Sequence, residues 1–481
     1  MKEYKLFING EYVPSSTNTL IDDISPSTGK AFAKIHMASA EDIEEAIDAA
    51  NKAYKSWSKT APKEREAILN KAADIFERRS DEIREILATE SGSAFGKAMF
   101  EMGLVADIIR TAAGEAIRVS GQTHATNHPG MLSYSIRRPL GVVAGISPFN
   151  VPMGLASKKF AFAMAAGNTF VLKPSSSTAI CGLIFGEIFK EAGLPDGVFN
   201  VIPCSSSVLG ETFQKDRRVK MITFTGSTEV GRKIAGSAAQ NLTKCTVELG
   251  GKSPLIILND ADVDFAVDTA AFGVFIHQGQ ICMAGSKIIV EAGLYDEFCD
   301  KFTEKVKNIK VGDPLEPTTV IGPLIEEAQC AFIDGLVEDA ISKGAKVLTG
   351  YSHEGCFYQP TLLSGVTDNM RIFHEEVFGP VATVLKADNI DHAILMANDT
   401  VYGLSSAVVT KDLANAMRLS EEIEAGMVHI NGPTIMDEAH IPFGGTKDSG
   451  MGREGGHFSI EEMTELKWVT VESSGNRHYP F

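Results

Sequence analysis

From about residue 140 onward, short apolar runs alternate with segments of helical length, and few folds satisfy that alternation. The runs cover residues 141–146, 169–172, 198–202, 221–224 and 255–257, with helix-length segments such as 179–192 and 229–239 between them. Runs this short, bounded by turn residues, read as strands buried on both faces. Strands joined through helices lie parallel, and helices cover both sides of the sheet. After residue 261 a second set follows: helix 263–275, strand 287–290, helix 295–307 and helix 326–343. The fold class is therefore α/β, with two doubly wound domains. That fits a chain of 481 residues, well beyond one domain of roughly 100–200. Ahead of them, residues 4–13 alternate around Asn9-Gly10, the signature of a hairpin. Ser39 and Asp42 form a capping box before a helix with apolar residues at 43, 46, 47, 50 and 54. A further helix is predicted from residue 63 to about 90. No internal repeat or low-complexity tract interrupts this plan.

Charge and cysteine usage narrow the function. The chain has 45 basic and 62 acidic residues, a formal net charge of −17. A protein that coats nucleic-acid phosphates carries the opposite balance, so no nucleic-acid partner is expected. Seven cysteines without a CxxC pair make neither a disulfide framework nor a zinc cluster, and no metal is expected. Free thiols point to a reducing, cytoplasmic setting. The first residues lack an apolar signal region and no run of 18 apolar residues follows, so no membrane partner is expected.

Several residues could carry chemistry. Cys282 lies in His277-Gln-Gly-Gln-Ile-Cys-Met-Ala-Gly, where small and polar neighbours would let a ligand approach a nucleophilic thiol. Taken alone, a cysteine is more often buried and inert, as Cys181 and Cys245 read here. Glu248 ends a strand-like run before two glycines, a place from which a carboxylate reaches a cleft. Asn150, between Pro148 and Pro152, has a stiff backbone and an amide able to donate to an oxyanion. Phe224-Thr-Gly-Ser-Thr-Glu-Val-Gly runs from strand into helix, so Gly226 and Ser227 could meet a phosphate. Lys173 ends another strand, within reach of ribose hydroxyls or a phosphate. Residues 442–456 hold six glycines and read as a shaped loop.

Together these segments resemble the aldehyde dehydrogenase superfamily over nearly the whole chain. Val247-Glu-Leu-Gly-Gly-Lys-Ser-Pro resembles the family's general-base motif, and Gly279-Gln-Ile-Cys, whose cysteine stands 34 residues after Glu248, its nucleophile motif. Ser147-Pro-Phe-Asn150, Gly167-Asn-Thr-Phe-Val-Leu-Lys-Pro, Phe224-Thr-Gly-Ser, Glu375-Glu-Val-Phe-Gly-Pro and Pro442-Phe-Gly-Gly-Thr-Lys-Asp-Ser-Gly complete seven ordered matches. The resemblance implies that Cys282 attacks the aldehyde, that Asn150 and the Cys282 amide hold the oxyanion, and that Glu248 activates the hydrolytic water. It assigns Lys173 to the adenosine ribose, Gly226 and Ser227 to the pyrophosphate, and Glu376 with Phe378 to the nicotinamide ribose. The chain departs from the pattern in places. Val151 follows the asparagine where an aromatic is common, and Cys204-Ser-Ser-Ser replaces a glycine-bearing turn. Ser176 stands where NAD-preferring members often place a glutamate.

The resemblance implies two Rossmann-like domains with a β oligomerisation arm. Residues 1–119 and 140–250 would bind the dinucleotide, and residues 251–450 would carry the nucleophile. Residues 120–139 with 462–481 would form the arm of a homodimer or homotetramer. The expected reaction is oxidation of an aldehyde to the acid with NAD(P)+, NADP being used at least comparably with NAD. An aromatic or medium apolar aldehyde is favoured, with Met153, Gly154, Ile276, Ile281 and Met283 as a soft apolar wall. Lys158 reads either as a solvated helix lysine or as a partner for the carboxylate of a semialdehyde such as succinate semialdehyde. A CoA-acylating semialdehyde dehydrogenase is a further alternative, though it has no need of Glu248.

Overall fold

The computed structural model describes residues 1–473, 475 and 480–481. Its N-terminal hairpin pairs Leu6–Ile8 with Glu11–Val13. Asn9 and Gly10 turn it with φ of 50° and 79°, the positive pair that a tight hairpin turn requires. Ser39 caps the helix Ala40–Trp57, and the Asp42 carboxylate accepts from the Ser39 amide in return. The stretch expected as one helix from 63 to 90 is two, Pro62–Arg78 and Ser80–Ser91. Arg79 leaves helical geometry at φ −92°, ψ 20°, and its guanidinium bridges Glu82 and Glu187.

The first large sheet has eight strands. At its centre Val142–Ile146 runs parallel to Thr169–Lys173 on one side and to Val219–Thr225 on the other. Beyond these lie Phe199–Val201 and the hairpin in one direction, and Lys244–Glu248 in the other. The chain thus winds outward first one way and then the other, which opens a crevice at the carboxyl ends of the central strands. Register places those ends level, Ile146 beside Lys173 and Thr225 beside Glu248. Separate apolar clusters cover the two faces. One contains Phe160, Phe170, Phe185 and Phe199, and the other Ile43, Val171, Ile222 and Phe224.

The second sheet has seven strands, with Pro254–Ile257 and Lys287–Glu291 at its middle and Met427–Ile430 at one edge. Its faces are likewise buried on both sides, by the cluster around Leu336 and Phe373 and the cluster around Phe275 and Phe302. The segments that lead into these strands carry Lys252, Cys282 and Phe378, so this sheet offers the starts of its strands where the first offers the ends. Met131–Pro139 and Thr464–Glu472 form a separate two-stranded antiparallel ribbon with nine register pairs, Thr464 opposite Pro139 and Glu472 opposite Met131. Residues 474 and 476–479, expected in the arm, lie outside the described residues. Gly450–Met451 returns to the first sheet, pairing antiparallel with Lys244–Glu248.

Candidate active site

A cleft of about 540 Å³ opens where the strand ends of the first sheet face the strand starts of the second. Asn150, Lys173, Gly226, Ser227, Cys282, Glu376 and Phe378 all line it. Ser227 caps the helix Thr228–Gln240 without a side-chain hydrogen bond to its first amides. Those amides and the positive end of the helix dipole therefore remain available to an anion. Lys173 is nearly buried, and burial pulls the pKa of its amine down. An anionic group placed beside it would restore the charge. The only acidic side chains lining the cleft are Glu375 and Glu376, among the described residues. A free helix N-terminus, a desolvated lysine and a carboxylate around one cleft fit the phosphates and ribose hydroxyls of a dinucleotide. Ser176 is not brought to the wall. It begins the 3-10 turn Ser176–Thr178, while Ser175 and Ser206 line the cleft.

Cys282 follows a sharp turn between the helix Val263–Phe275 and the strand Lys287–Glu291. His277, Gln278 and Gly279 take left-handed angles, with φ of 49°, 58° and 69°. For residues with a Cβ this costs on the order of 1–3 kcal/mol each and must be held from outside. Gln278 does the holding: its amide donates to the Gly92 and Pro323 carbonyls at 3.1 and 2.8 Å and accepts from the Gly322 amide at 3.1 Å. The Asn150 side chain donates to the Gln280 carbonyl at 2.8 Å, which fixes its amide on a group two residues from Cys282 in sequence. Gly279 admits no side chain, because a Cβ would stand 2.2 Å from the Gly379 carbonyl oxygen. The polar run around Cys282 was visible in sequence, but the anchoring role of Gln278 was not, since its partners lie 44 to 186 residues away.

Burial raises the pKa of both Cys282 and Glu248. Burial pushes the Cys282 thiol up to about 12, and the charges of Glu376, Glu248 and Asp437 add to the rise. The resting sulfur is a thiol and requires a base. Glu248 is buried behind the cleft wall, with neither carboxyl oxygen hydrogen-bonded to a protein group. Burial, and then the charge of Glu454, raise its pKa well above the carboxylate range, so its ionised form is a strong base. Glu376 accepts from the Gly251 amide at 3.0 Å, and burial lifts it to about 7. Phe378 meets Phe149 edge to face at 5.8 Å, and Gln329 grips the Val377 and Phe378 carbonyls at 3.1 Å.

Lys158 is not the solvated helix lysine that the sequence allows. It is fully buried, paired with Asp437 at 2.5 Å and seated over the Phe443 ring at 4.2 Å, so it is neither solvated nor unpaired. Its neighbour Lys159 is equally buried, on Glu454 and Thr223. The apolar wall is partly as expected: Ile281 and Met283 pack with Leu404, Ile435 and Phe443, with Ile276 and Cys282 at the margin. Met153 instead belongs to the core of the first sheet. Glu101 escaped the sequence reading. Fully buried, it pairs with Lys97 at 2.5 Å and accepts from the Met153 and Gly154 amides at 2.8 and 3.0 Å, capping the helix that carries Lys158. Among the described residues, no cluster of His, Cys, Asp or Glu is arranged to hold a metal ion, and no helix is long and apolar enough to cross a membrane.

A half-buried thiol in the wall of a cleft suited to a dinucleotide, with a desolvated carboxyl behind it, is an arrangement that fits a pyridine-nucleotide dehydrogenase. The chain belongs to the aldehyde dehydrogenase family, which residues 12–469 match, and it is an NAD(P)-dependent aldehyde oxidoreductase. It is 40% identical to a vanillin dehydrogenase of Pseudomonas fluorescens over the full length of both chains. It is 41% identical to a benzaldehyde dehydrogenase of Bacillus subtilis, covering 99% of each. The crystal structure of a salicylaldehyde dehydrogenase from Pseudomonas putida complexed with salicylaldehyde superposes with a TM-score of 0.98, at 40% identity and complete coverage of both chains.

Proposed function

We propose that this protein oxidises an aromatic aldehyde to its carboxylic acid through a covalent adduct on Cys282. The observation that carries the reading is the thiol itself, set between an apolar cluster and the dinucleotide cleft. Relatives named for vanillin, benzaldehyde and salicylaldehyde support the substrate class. Glu248 takes the proton of Cys282, and the thiolate adds to the carbonyl carbon. The Asn150 amide, with one N–H engaged by Gln280, turns the other to the oxyanion beside the Cys282 backbone amide. Bound NAD(P)+ supplies the acceptor for the hydride that leaves this adduct. The thioester on Cys282 is then hydrolysed by water that Glu248 deprotonates.

In this reading Lys173 and Ser176 serve the adenosine end of the cofactor, Gly226 and Ser227 its pyrophosphate, and Glu376 with Phe378 its nicotinamide ribose. Residues 1–119 and 140–250 form the dinucleotide-binding domain, residues 251–450 the catalytic domain, and the ribbon joins copies of the chain. The Lys158–Asp437 pair argues against a semialdehyde, because a substrate carboxylate would have to displace Asp437 from a buried contact. Benzaldehyde, vanillin and succinate semialdehyde offered with NAD+ or NADP+, with and without CoA, test the proposal. Aromatic acids formed independently of CoA are the expected products. A preference for succinate semialdehyde, or an acyl-CoA product, would overturn it.

A further inference from the structure

Two cysteines outside the active site face each other in the second domain. Cys330 lies in the first turn of the helix Glu327–Ser342 and is fully buried. Cys356 occupies the turn of a small hairpin, His353–Glu354 with Phe357–Tyr358, and keeps 9% of its surface open. The Cys330 thiol donates to the carbonyl of Gly355, the residue before Cys356, at 3.6 Å, and the two thiols are close enough to shift each other's ionisation. The hairpin is docked on the helix through Asp334, which takes hydrogen bonds from Tyr358 at 2.9 Å and His353 at 3.1 Å. The residue before Cys330 is Gln329, whose amide holds the Val377 and Phe378 carbonyls of the cofactor cleft. One helical turn thus carries one thiol of the pair and the support of the Phe378 loop.

We propose that Cys330 and Cys356 form a peroxide-sensitive dithiol whose disulfide weakens cofactor binding through Gln329. The roles of the two sulfurs differ. Cys356 sits near His353, and its pKa is lowered, while that of Cys330 is raised. The Cys356 thiolate attacks one oxygen of hydrogen peroxide, forming a sulfenic acid and releasing hydroxide. Cys330 then gives up its proton and attacks that sulfur. The S–S bond forms, the S–O bond breaks and water leaves, so two thiols and one peroxide yield a disulfide and two waters. Bond formation draws the sulfurs together to about 2.05 Å and pulls the hairpin against the first turn of the helix. Gln329, the adjacent residue, then loses its aim on the Phe378 loop. It is a positioning residue, acting through that loop.

The test uses full-length Cys282→Ala protein, so that the nucleophile cannot react, treated with hydrogen peroxide and mapped by peptide mass spectrometry. The expected result is a Cys330–Cys356 linked peptide, with a rise of roughly tenfold in the dissociation constant for NADPH or NADH read by fluorescence. Dithiothreitol should reverse both. Cys330→Ala and Cys356→Ala, each added to Cys282→Ala, should bind cofactor as the untreated parent does, both before and after peroxide. Absence of the linked peptide overturns the proposal, and a linked peptide with unchanged cofactor affinity overturns the coupling through Gln329.

Discussion

A carboxyl group shielded from water near a second carboxylate holds its proton more tightly than a free one, and Glu248 is in that position. Glu454 contributes to it by charge. Glu454→Gln removes that charge and leaves the Lys159 ammonium unopposed, and both changes lower the pKa of Glu248. The acid limb of the kcat/KM profile, which reports ionisation of the base, should therefore move to lower pH. An unmoved or raised limb would reassign the base. Cys282→Ala should abolish dehydrogenase activity while cofactor binding persists, since the thiol bonds the substrate only. Glu248→Gln should remove the base for both the thiol and the hydrolytic water, so that turnover falls steeply and any burst of reduced cofactor stays below one equivalent; turnover like wild type would remove its role in water activation. Beside Lys173, the proposed adenosine contact, no carboxylate lines the cleft among the described residues, so a 2′-phosphate there would meet a lysine and serine hydroxyls. NADP is expected to serve at least comparably with NAD. Ser176→Glu should raise the NAD/NADP ratio of specificity constants by roughly tenfold. A hundredfold preference of the wild type for NAD would sink this argument. Ser176 stands beside the cleft and not in its wall, so the same substitution also reads how far a side chain from the 3-10 turn reaches.

At the scale of elements, the site depends on how the helix Pro152–Ala165 begins. Its first amides have no cap of their own sequence, since Val151 offers no side-chain acceptor, and Glu101 from another helix supplies one. Glu101 also neutralises Lys97, which is itself buried and bonded to Ser93. Glu101→Ala strands a buried cation and two amides, and should cost about 3–5 kcal/mol of stability. Urea denaturation measures this; a loss under about 1 kcal/mol would show that water replaces the carboxylate freely. Lys97→Met with Glu101→Leu should recover only part of the loss, because the helix amides still lack an acceptor. The spacing of Lys97 and Glu101, four apart on one helix, is plain in the sequence. Nothing local says that the pair faces inward, because that is decided by what packs over it.

At the scale of the molecule, the ribbon of Met131–Pro139 and Thr464–Glu472 exposes Leu132, Leu466, Trp468 and Val471; Thr123 bridges the far side of Met131–Pro139, while Thr464–Glu472 pairs with one strand only among the described residues. A two-stranded ribbon is marginal by itself, and apolar side chains on open edges favour pairing with another chain. The protein should sediment as a dimer or tetramer at micromolar concentration, and Leu466→Glu with Trp468→Glu should shift it toward monomer. A wild type that sediments only as monomer would remove the claim. Local pattern was enough for much of the architecture. The strand and helix alternation, the Asn9-Gly10 turn and the Ser39 cap each depend on neighbours within a few residues. The motif segments around Cys282, Glu248 and Lys173 could be recognised for the same reason, as short strings around a strand end or a turn. Tertiary structure alone decided the rest. It joined Asn150 to Gln280 across 130 residues, buried Lys158 on Asp437, and set Gln278 against the Gly92 and Pro323 carbonyls. A side chain's burial and its partner are properties of whatever packs against it, and in this fold the packing partners come from distant parts of the chain.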